Sequence, residues 1–361
     1  MNTNAKNYRQ KIINLLITVV ISMLVGAVLI GVLGNNPWQA YGALFQGAFV
    51  GKLNFGTTLA NFAPLLLTAY AFIIPADASF FNCGVEGELY LGAITAAFVG
   101  YNFKGLPGPL HIVLCFLCAM IVGALWSLIP AVLKVRWNVN EVCVTILMNY
   151  VAMYIASYLV NGPMSAKTGT AQTPAVADNT QLAKFLVPSQ ANTGIFIAIA
   201  VTIFLYWMMN HSTVGYEIRS VGQNPHFSEY IGISPVKSMV NSMLISGAIG
   251  GMTGCIFVLG VYGYFLDNFS MGIAFNGMLA ALIVGNDYKL TPFLAFFIAA
   301  LQSGAQGMER NTGVPKSIVD VIISIFIIFA TMEALFSFLS KKKKNSTAKS
   351  QSNTHHKEAE S

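Results

Sequence analysis

Ten long apolar runs follow one another along the chain, at residues 12–34, 53–74, 84–103, 110–133, 140–160, 194–210, 236–262, 269–286, 290–308 and 316–339. About 20 apolar residues wound as a helix, at 1.5 Å per residue, cross the ~30 Å hydrocarbon core of a bilayer. A chain built of such runs has lipid as its main solvent, because no water-facing surface could hide them all. Composition agrees: 55% of the residues are hydrophobic and 9% are charged, too little charge to coat a soluble globule of this length. The expected fold is an all-α polytopic membrane protein with about ten transmembrane helices. Intrinsic disorder, a collagen-like chain, a disulfide-stapled secreted module and a nucleic-acid-binding domain are excluded by the same pattern.

The net charge of +6 sits at the two ends. Lys6, Arg9 and Lys11 precede the first run, Lys341 to Lys344 follow the last, and the body between is close to neutral. Cytoplasmic flanks carry the excess of Lys and Arg, so both termini are expected inside, and an even number of spans closes the count. The same count puts Lys134, Arg136, Arg219, Lys237 and Lys289 inside and the segment 161–193 outside. Residues 1–11 read as a cytoplasmic segment, 12–340 as the membrane domain and 341–361 as a basic, disordered cytoplasmic tail. The first run exceeds the apolar core of a signal peptide and no small-x-small site follows it, so it reads as a retained helix.

Residues 75–92, PADASFFNCGVEGELYLG, combine Pro, three Gly, Asp77, Asn82, Glu86 and Glu88 at membrane depth. Irregular backbone and charge are tolerated there only when protein or a water-filled cavity surrounds them. A broken or re-entrant helix is the inference. If the stretch is helical, Asn82, Glu86 and Tyr90 share one face. Glu141, Thr145 and Asn149 repeat at i, i+4 and i+8 in the fifth run and form a second polar stripe. Each stripe has two readings: a wall of a solute path, or hydrogen bonds that brace a helix break and join helices. Asn276, Gln302 and Gln306 invite the same pair.

Gly247 with Gly251, and Gly250 with Gly254, give two faces of small residues in SGAIGGMTG, which let backbones approach closely within the subunit or across a dimer seam. The inner connection 210–235 mixes Gly and Pro breaks with a short helical pattern and reads as a surface helix. The outer connection 161–193 reads as irregular and water-exposed, open to an external partner.

Chemistry of other kinds has no machinery here. The nearest approach to a nucleotide-binding P-loop, at Gly51 and Lys52, has Gln46 for its first Gly and Leu53 for its Ser or Thr, so the chain is not expected to hydrolyse ATP. No zinc-protease motif or nucleophile elbow occurs. Cys115, Cys118 and His111 share a helical face, but without a fourth ligand they read as packing residues, and no metal is expected.

Four segments together resemble the permease subunits of bacterial ABC importers for nucleosides and simple sugars, in the wider group that includes ribose and branched-chain amino acid permeases. FFNCGVEGELYLGA at 80–93 is similar to that family's F-N-x-G-x-E-G-Q-x-x-x-G-A, with Glu88 where Gln is usual. VNEVCVTILMNY at 139–150 is similar to N-E-V-x-x-T-x-M-x-N-Y, with Leu147 and Met148 shifting the order. VGQNPHFSEYIGI at 221–233 with SGAIGGMTG, and GVPKSIVDVI at 313–322, resemble the coupling loop with its following helix and the opening of the last span. The resemblance implies a multi-pass protein of the bacterial cell membrane that binds no cofactor itself. It implies a second permease subunit, cytoplasmic ATP-binding subunits that use the ATP, and an extracellular substrate-binding lipoprotein. It also implies an ATPase-coupling loop at Gly222, Gln223, Asn224, Pro225, Tyr230 and Gly232. The rival reading is a proton-coupled secondary transporter of a small polar solute, for which Glu86 would supply the acid.

Overall fold

In the computed structural model the described residues are 2–326 and 328, apart from 104 and 271, with backbone alone for 2–16. The expected tail at 341–361 and the end of the tenth run lie outside them.

Helices dominate. They are α1 (Asn2–Val32), α2 (Pro37–Phe49), α3 (Lys52–Ala76), α4 (Val85–Asn102), α5 (Gly108–Trp137), α6 (Glu141–Asn161), α7 (Gly194–His211), α8 (Thr213–Gln223), α9 (Pro225–Tyr230), α10 (Pro235–Ile256), α11 (Ile273–Ile283) and α12 (Thr291–Thr312). A thirteenth, α13 (Ser317–Phe326), follows. The chain marks the starts and stops locally. Asn36, Asn140, Ser212, Asn224 and Ser234 each cap the helix that follows by accepting from a first-turn backbone N–H, which satisfies donors that have no intrahelical partner. Asn138 and Gly313 end α5 and α12 in the left-handed region, at φ 50° and 70°.

Each apolar run coincides with a helix wherever it is described. Among the described residues, five helices are long and apolar enough to cross a membrane: α3, α5, α6, α7 and α10 with its π-helical extension to Tyr262. The pair Ile17–Val32 and Pro37–Phe49, bent by 118°, makes a sixth. The remaining runs give the shorter apolar helices α11 and α13 and the more polar α4 and α12. The molecule is thus a multi-pass, all-helical membrane protein. Unforeseen in the sequence is α2, since 37–49 is too short and too interrupted by Gln and Gly to count as a run. It packs instead on α12, where Gly47 meets Gly304 and Gly307 closely enough that a Cβ would overlap their backbone. Helix α1 runs from Asn2 to Val32, so the first apolar run and the basic residues before it share one helix.

The layering follows burial. In the apolar windows of α3 and α10, 72% and 78% of residues are buried, against 28%, 22% and 33% in α5, α6 and α7. The first two, with α4, are therefore the centre, and the other three are a rim with one face outward. The two glycine faces of α10 serve two neighbours within the chain. Gly247 and Gly251 meet α5 at Gly123 and Ala119, whereas Gly250 and Gly254 meet α4 at Glu88 and Leu89. Ser127 Oγ of α5 donates to Met243 O of α10 at 2.8 Å across the first of these contacts.

The connection 161–193 is pinned rather than free. Thr173 N–H donates to Phe265 O, Val176 N–H to Gly263 O and Leu182 N–H to Leu259 O, at 2.8–3.0 Å. These bonds lay residues 173–182 across the π-helical turn 257–262 and the strand-like link after it.

Candidate functional site

Between α3 and α4 the chain runs without helix from Asp77 to Gly84, and this is the break expected from the sequence. Its later part is buried, with Phe80, Asn82 and Cys83 at most 8% exposed, whereas Ser79 is exposed. Buried backbone groups outside a helix need partners from elsewhere, and polar side chains of α6, with Asn82 of the break itself, provide them. Asn149 of α6 spans the break, accepting from Gly87 N–H at 2.8 Å and donating through Nδ2 to Cys83 O at 2.8 Å. One turn earlier, Thr145 Oγ1 accepts from Cys83 N–H at 3.3 Å. Asn82 accepts from Gly84 N–H at 2.8 Å through Oδ1, and through Nδ2 donates to Glu88 Oε1 at 2.9 Å and Ser246 Oγ at 2.8 Å. Ser246 Oγ of α10 in turn donates to Ala71 O of α3 at 2.6 Å.

Glu86 points elsewhere. Its carboxylate accepts from Ser270 Oγ and, at 3.0 Å, from the backbone N–H of Ala274. It thus sits at the start of α11, where an acidic group meets both the orphan amides and the positive end of the helix dipole. Tyr90, one turn on, donates to Ser270 O at 3.3 Å, and its ring lies 5.0 Å from that of Phe269 between centroids.

Five of the six residues read as polar stripes, Asn82, Glu86, Tyr90, Thr145 and Asn149, thus converge on the break and its flank. The first stripe is not a helical face, because α4 starts only at Val85 and Asn82 lies in the extended lead-in. Asn82 consequently pairs with Glu88, not along a line with Glu86. Glu141 stands apart: at the corner between α5 and α6 it forms an ion pair with Lys134 at 2.9 Å. Residues that the periodicity did not mark are Ser246, Ser270 and Glu88. For the first two the signal is a partner 164 or 184 residues away in sequence, which no local pattern carries. A narrow, half-open crevice lined by Asn82, Cys83, Val85, Ala274, Phe275 and Met278 lies beside the break, with no room inside it for a water molecule.

The inner connection forms two short helices. Gly222 and Gln223 close α8, Asn224 caps α9 by accepting from Phe227 N–H at 3.0 Å, Pro225 starts it, and Gly232 (φ 87°) ends the segment. One side seats on the helix break: Ser79 Oγ donates to Gly222 O at 3.0 Å, and Gly222 lies so close to the Asp77 carbonyl that a Cβ would overlap it. Asp77 is held in turn by Tyr288, whose O–H donates to Oδ2 at 2.8 Å. The other side is open, with Phe227 60% and Tyr230 90% exposed. His111, buried beside Cys115, has Nε2 3.0 Å from Val99 O.

A family profile described as the branched-chain amino acid transport system / permease component matches residues 54–331. Among curated proteins, the guanosine ABC transporter permease protein NupP of Bacillus subtilis is 34% identical over 337 residues, 92% of this chain and 97% of that one. The glucose ABC transporter permease protein TsgB13 of Haloferax volcanii is 30% identical over 331 residues, 89% of this chain and 87% of its own length. The guanosine ABC transporter permease protein NupQ, also of Bacillus subtilis, is 28% identical over 299 residues, 79% of this chain and 91% of its own.

Proposed function

Because the chain belongs to the branched-chain amino acid transport system / permease component family, we propose that it is the membrane-spanning permease subunit of an ABC importer for a nucleoside or simple sugar. The observation that carries this reading is the seating of α8 on the helix break. A rigid surface element with one face exposed and the other wedged against Asp77 and Ser79 gives a docked cytoplasmic motor a handle on the start of α4. Alternating access needs such a handle, because it proceeds by rigid-body rocking of packed helices.

In this reading the chain is a transport component, and ATP is bound and hydrolysed by separate cytoplasmic subunits that dock on α8 and α9. An extracellular lipoprotein delivers the solute to the outer face, near the pinned connection 173–182. A second permease subunit stands beside this one; the matching of two guanosine permease proteins from one bacterium supports a heterodimer. The protein lies in the bacterial cell membrane with both termini cytoplasmic. The nucleoside alternative is supported by the greater identity to the guanosine permease protein than to the glucose one.

The test is uptake of radiolabelled guanosine and of glucose into proteoliposomes holding this chain, its neighbouring permease and the ATPase subunits, with binding protein outside. Accumulation of one solute that requires internal ATP and persists without a proton gradient is expected. Accumulation driven by a pH gradient in liposomes lacking the ATPase subunits would overturn the proposal in favour of a proton-coupled carrier.

A further inference from the structure

The helix α6 has two faces of different kinds. Thr145, Asn149, Ala152, Ala156 and Val160 pack inward on the break and on α4. Outward it presents Tyr150, Tyr154 and Tyr158, which are 56%, 73% and 73% exposed, with the aliphatic Leu147, Val151 and Ile155 exposed beside them. None of the three hydroxyls has a hydrogen-bond partner among the described residues. Spaced at i, i+4 and i+8, they form one stripe.

Depth makes the stripe informative. Counting 1.5 Å per residue from Glu141, Tyr150 lies ~14 Å and Tyr154 ~20 Å along a helix that crosses a ~30 Å core. Tyrosines favour the membrane–water boundary, which accounts for Tyr158, three residues from the helix end. It does not account for Tyr150 and Tyr154, whose hydroxyls would lie unpaired in hydrocarbon at a cost of a few kcal/mol each. The outward face of α5 looks different. The outward stripe of α5 is Val113, Leu117, Ile121, Leu125 and Ile129, without a polar atom on any side chain.

The tyrosine stripe continues, toward the C-terminal end of α6, into polar side chains. At its outer end Ser157 Oγ donates to Asp267 Oδ2 at 2.9 Å, and Asn161 Nδ2 reaches the same oxygen at 3.5 Å. A track of hydroxyls, amide and carboxylate therefore leads from the outer surface to the middle of α6. Within the span the track carries rings and hydroxyls and no charge.

Resting on the permease reading, we propose that Tyr150, Tyr154 and Tyr158 line the solute path as a ladder of rings that stack on the base of a nucleoside. Aromatic stacking on a nucleobase is sequence-tolerant and substantial, and phenolic hydroxyls offer bonds to ribose and base edges at each step. Three equivalent rungs suit passage, since a solute held equally well at successive positions is not trapped at one. A simple sugar lacks the planar ring the rungs would hold, so the ladder assigns a nucleoside as the solute class. The path then runs along the outward side of α6, toward the second permease subunit, and not through the narrow crevice beside Asn82.

Single variants Tyr150→Cys, Tyr154→Cys and Tyr158→Cys test this in the assembled importer. They are made in a Cys143→Ser background, since Cys143 is exposed on the same helix, with Leu117→Cys on α5 as the lipid-facing control. A charged, membrane-impermeant methanethiosulfonate reagent should modify the three sites at least tenfold faster than the control, and guanosine with binding protein and ATP should slow that modification several-fold while glucose does not. Modification no faster than at Leu117→Cys, or protection by glucose but not guanosine, overturns the ladder. A second readout separates stacking from folding: in Tyr154→Leu the KM for guanosine should rise about tenfold, whereas Tyr154→Phe should stay within about threefold of wild type. Equal behaviour of the two variants also overturns it. If the wild-type complex accumulates guanosine with ATP and these tests fail, the ladder alone is wrong; if the wild type accumulates nothing with ATP, the permease reading fails and the ladder with it.

Discussion

Asn149 shows how one side chain can hold a break in a membrane helix. Its amide meets one orphan donor, on Gly87, and one orphan acceptor, on Cys83, because a primary amide carries its acceptor and its donor on separate atoms and reaches both groups at once. Asn149→Ala leaves both backbone groups buried and unpaired at about 1–3 kcal/mol each. Thermal unfolding of the purified protein in detergent should therefore show a Tm lowered by several degrees, with Asn149→Asp, which keeps the acceptor and loses the donor, between Ala and wild type. An unchanged Tm for Asn149→Ala would mean the break is held by other groups. Glu86 is a parallel case with two acceptor oxygens on Ser270 and Ala274. Glu86→Gln retains one acceptor and should keep most ATP-driven uptake, while Glu86→Ala, which frees the start of α11, should lose it; equal loss in both would point to a need for the carboxylate charge. The polar character of these residues is legible in the sequence, because polar groups four apart in an apolar run are conspicuous. Their partners are not, because Ser246 and Ser270 come from helices that only tertiary packing brings to the break.

At the scale of elements, α10 is the axle of the molecule. Its glycines leave no room for a side chain on either flank: a Cβ on Gly247 or Gly251 would overlap backbone of α5, and one on Gly254 backbone of α4. The neighbour in each case is a carbonyl, which cannot rotate aside as a flexible side chain could. Gly251→Leu should thus abolish accumulation of the folded chain in the membrane, and Gly251→Ala should reduce it sharply, measured by fluorescence-detected size exclusion of a tagged protein. Gly31→Ala, at a position where a Cβ meets nothing within 4 Å, is the control and should behave as wild type. The glycine pattern was visible in SGAIGGMTG, but which helix each face meets was not, since spacing gives the faces of one helix without naming its neighbours. The same limit hid α2. Its 13 residues are held by contact with α12 rather than by apolarity or length, and a reading that counts apolar runs passes over an element of that kind.

Across the whole molecule, the connection 210–235 meets the helix break at a seat where Gly222 of α8 lies against Asp77 and accepts from Ser79. The break beyond that seat is the start of α4, and α4 packs on both α10 and the inner face of α6. A displacement of α8 therefore has a direct mechanical route to α6 through bonds already described, from Ser79 along the chain to Cys83 and across to Asn149. If this route couples the motor to the path, a side chain wedged into the seat should separate the two activities. Gly222→Val would push α8 off Asp77 while leaving the exposed face of Phe227 and Tyr230 intact for docking. The expected result is a complex that assembles, binds ATPase subunits at wild-type stoichiometry and hydrolyses ATP, yet accumulates solute at less than about a tenth of the wild-type rate, a barrier increase of roughly 1.4 kcal/mol or more. Ser79→Ala removes one hydrogen bond worth about 1 kcal/mol without crowding the seat, so it should lower uptake only mildly. Full uptake in Gly222→Val would show that force reaches α4 by another contact; loss of subunit binding together with uptake would show instead that α8 serves docking alone.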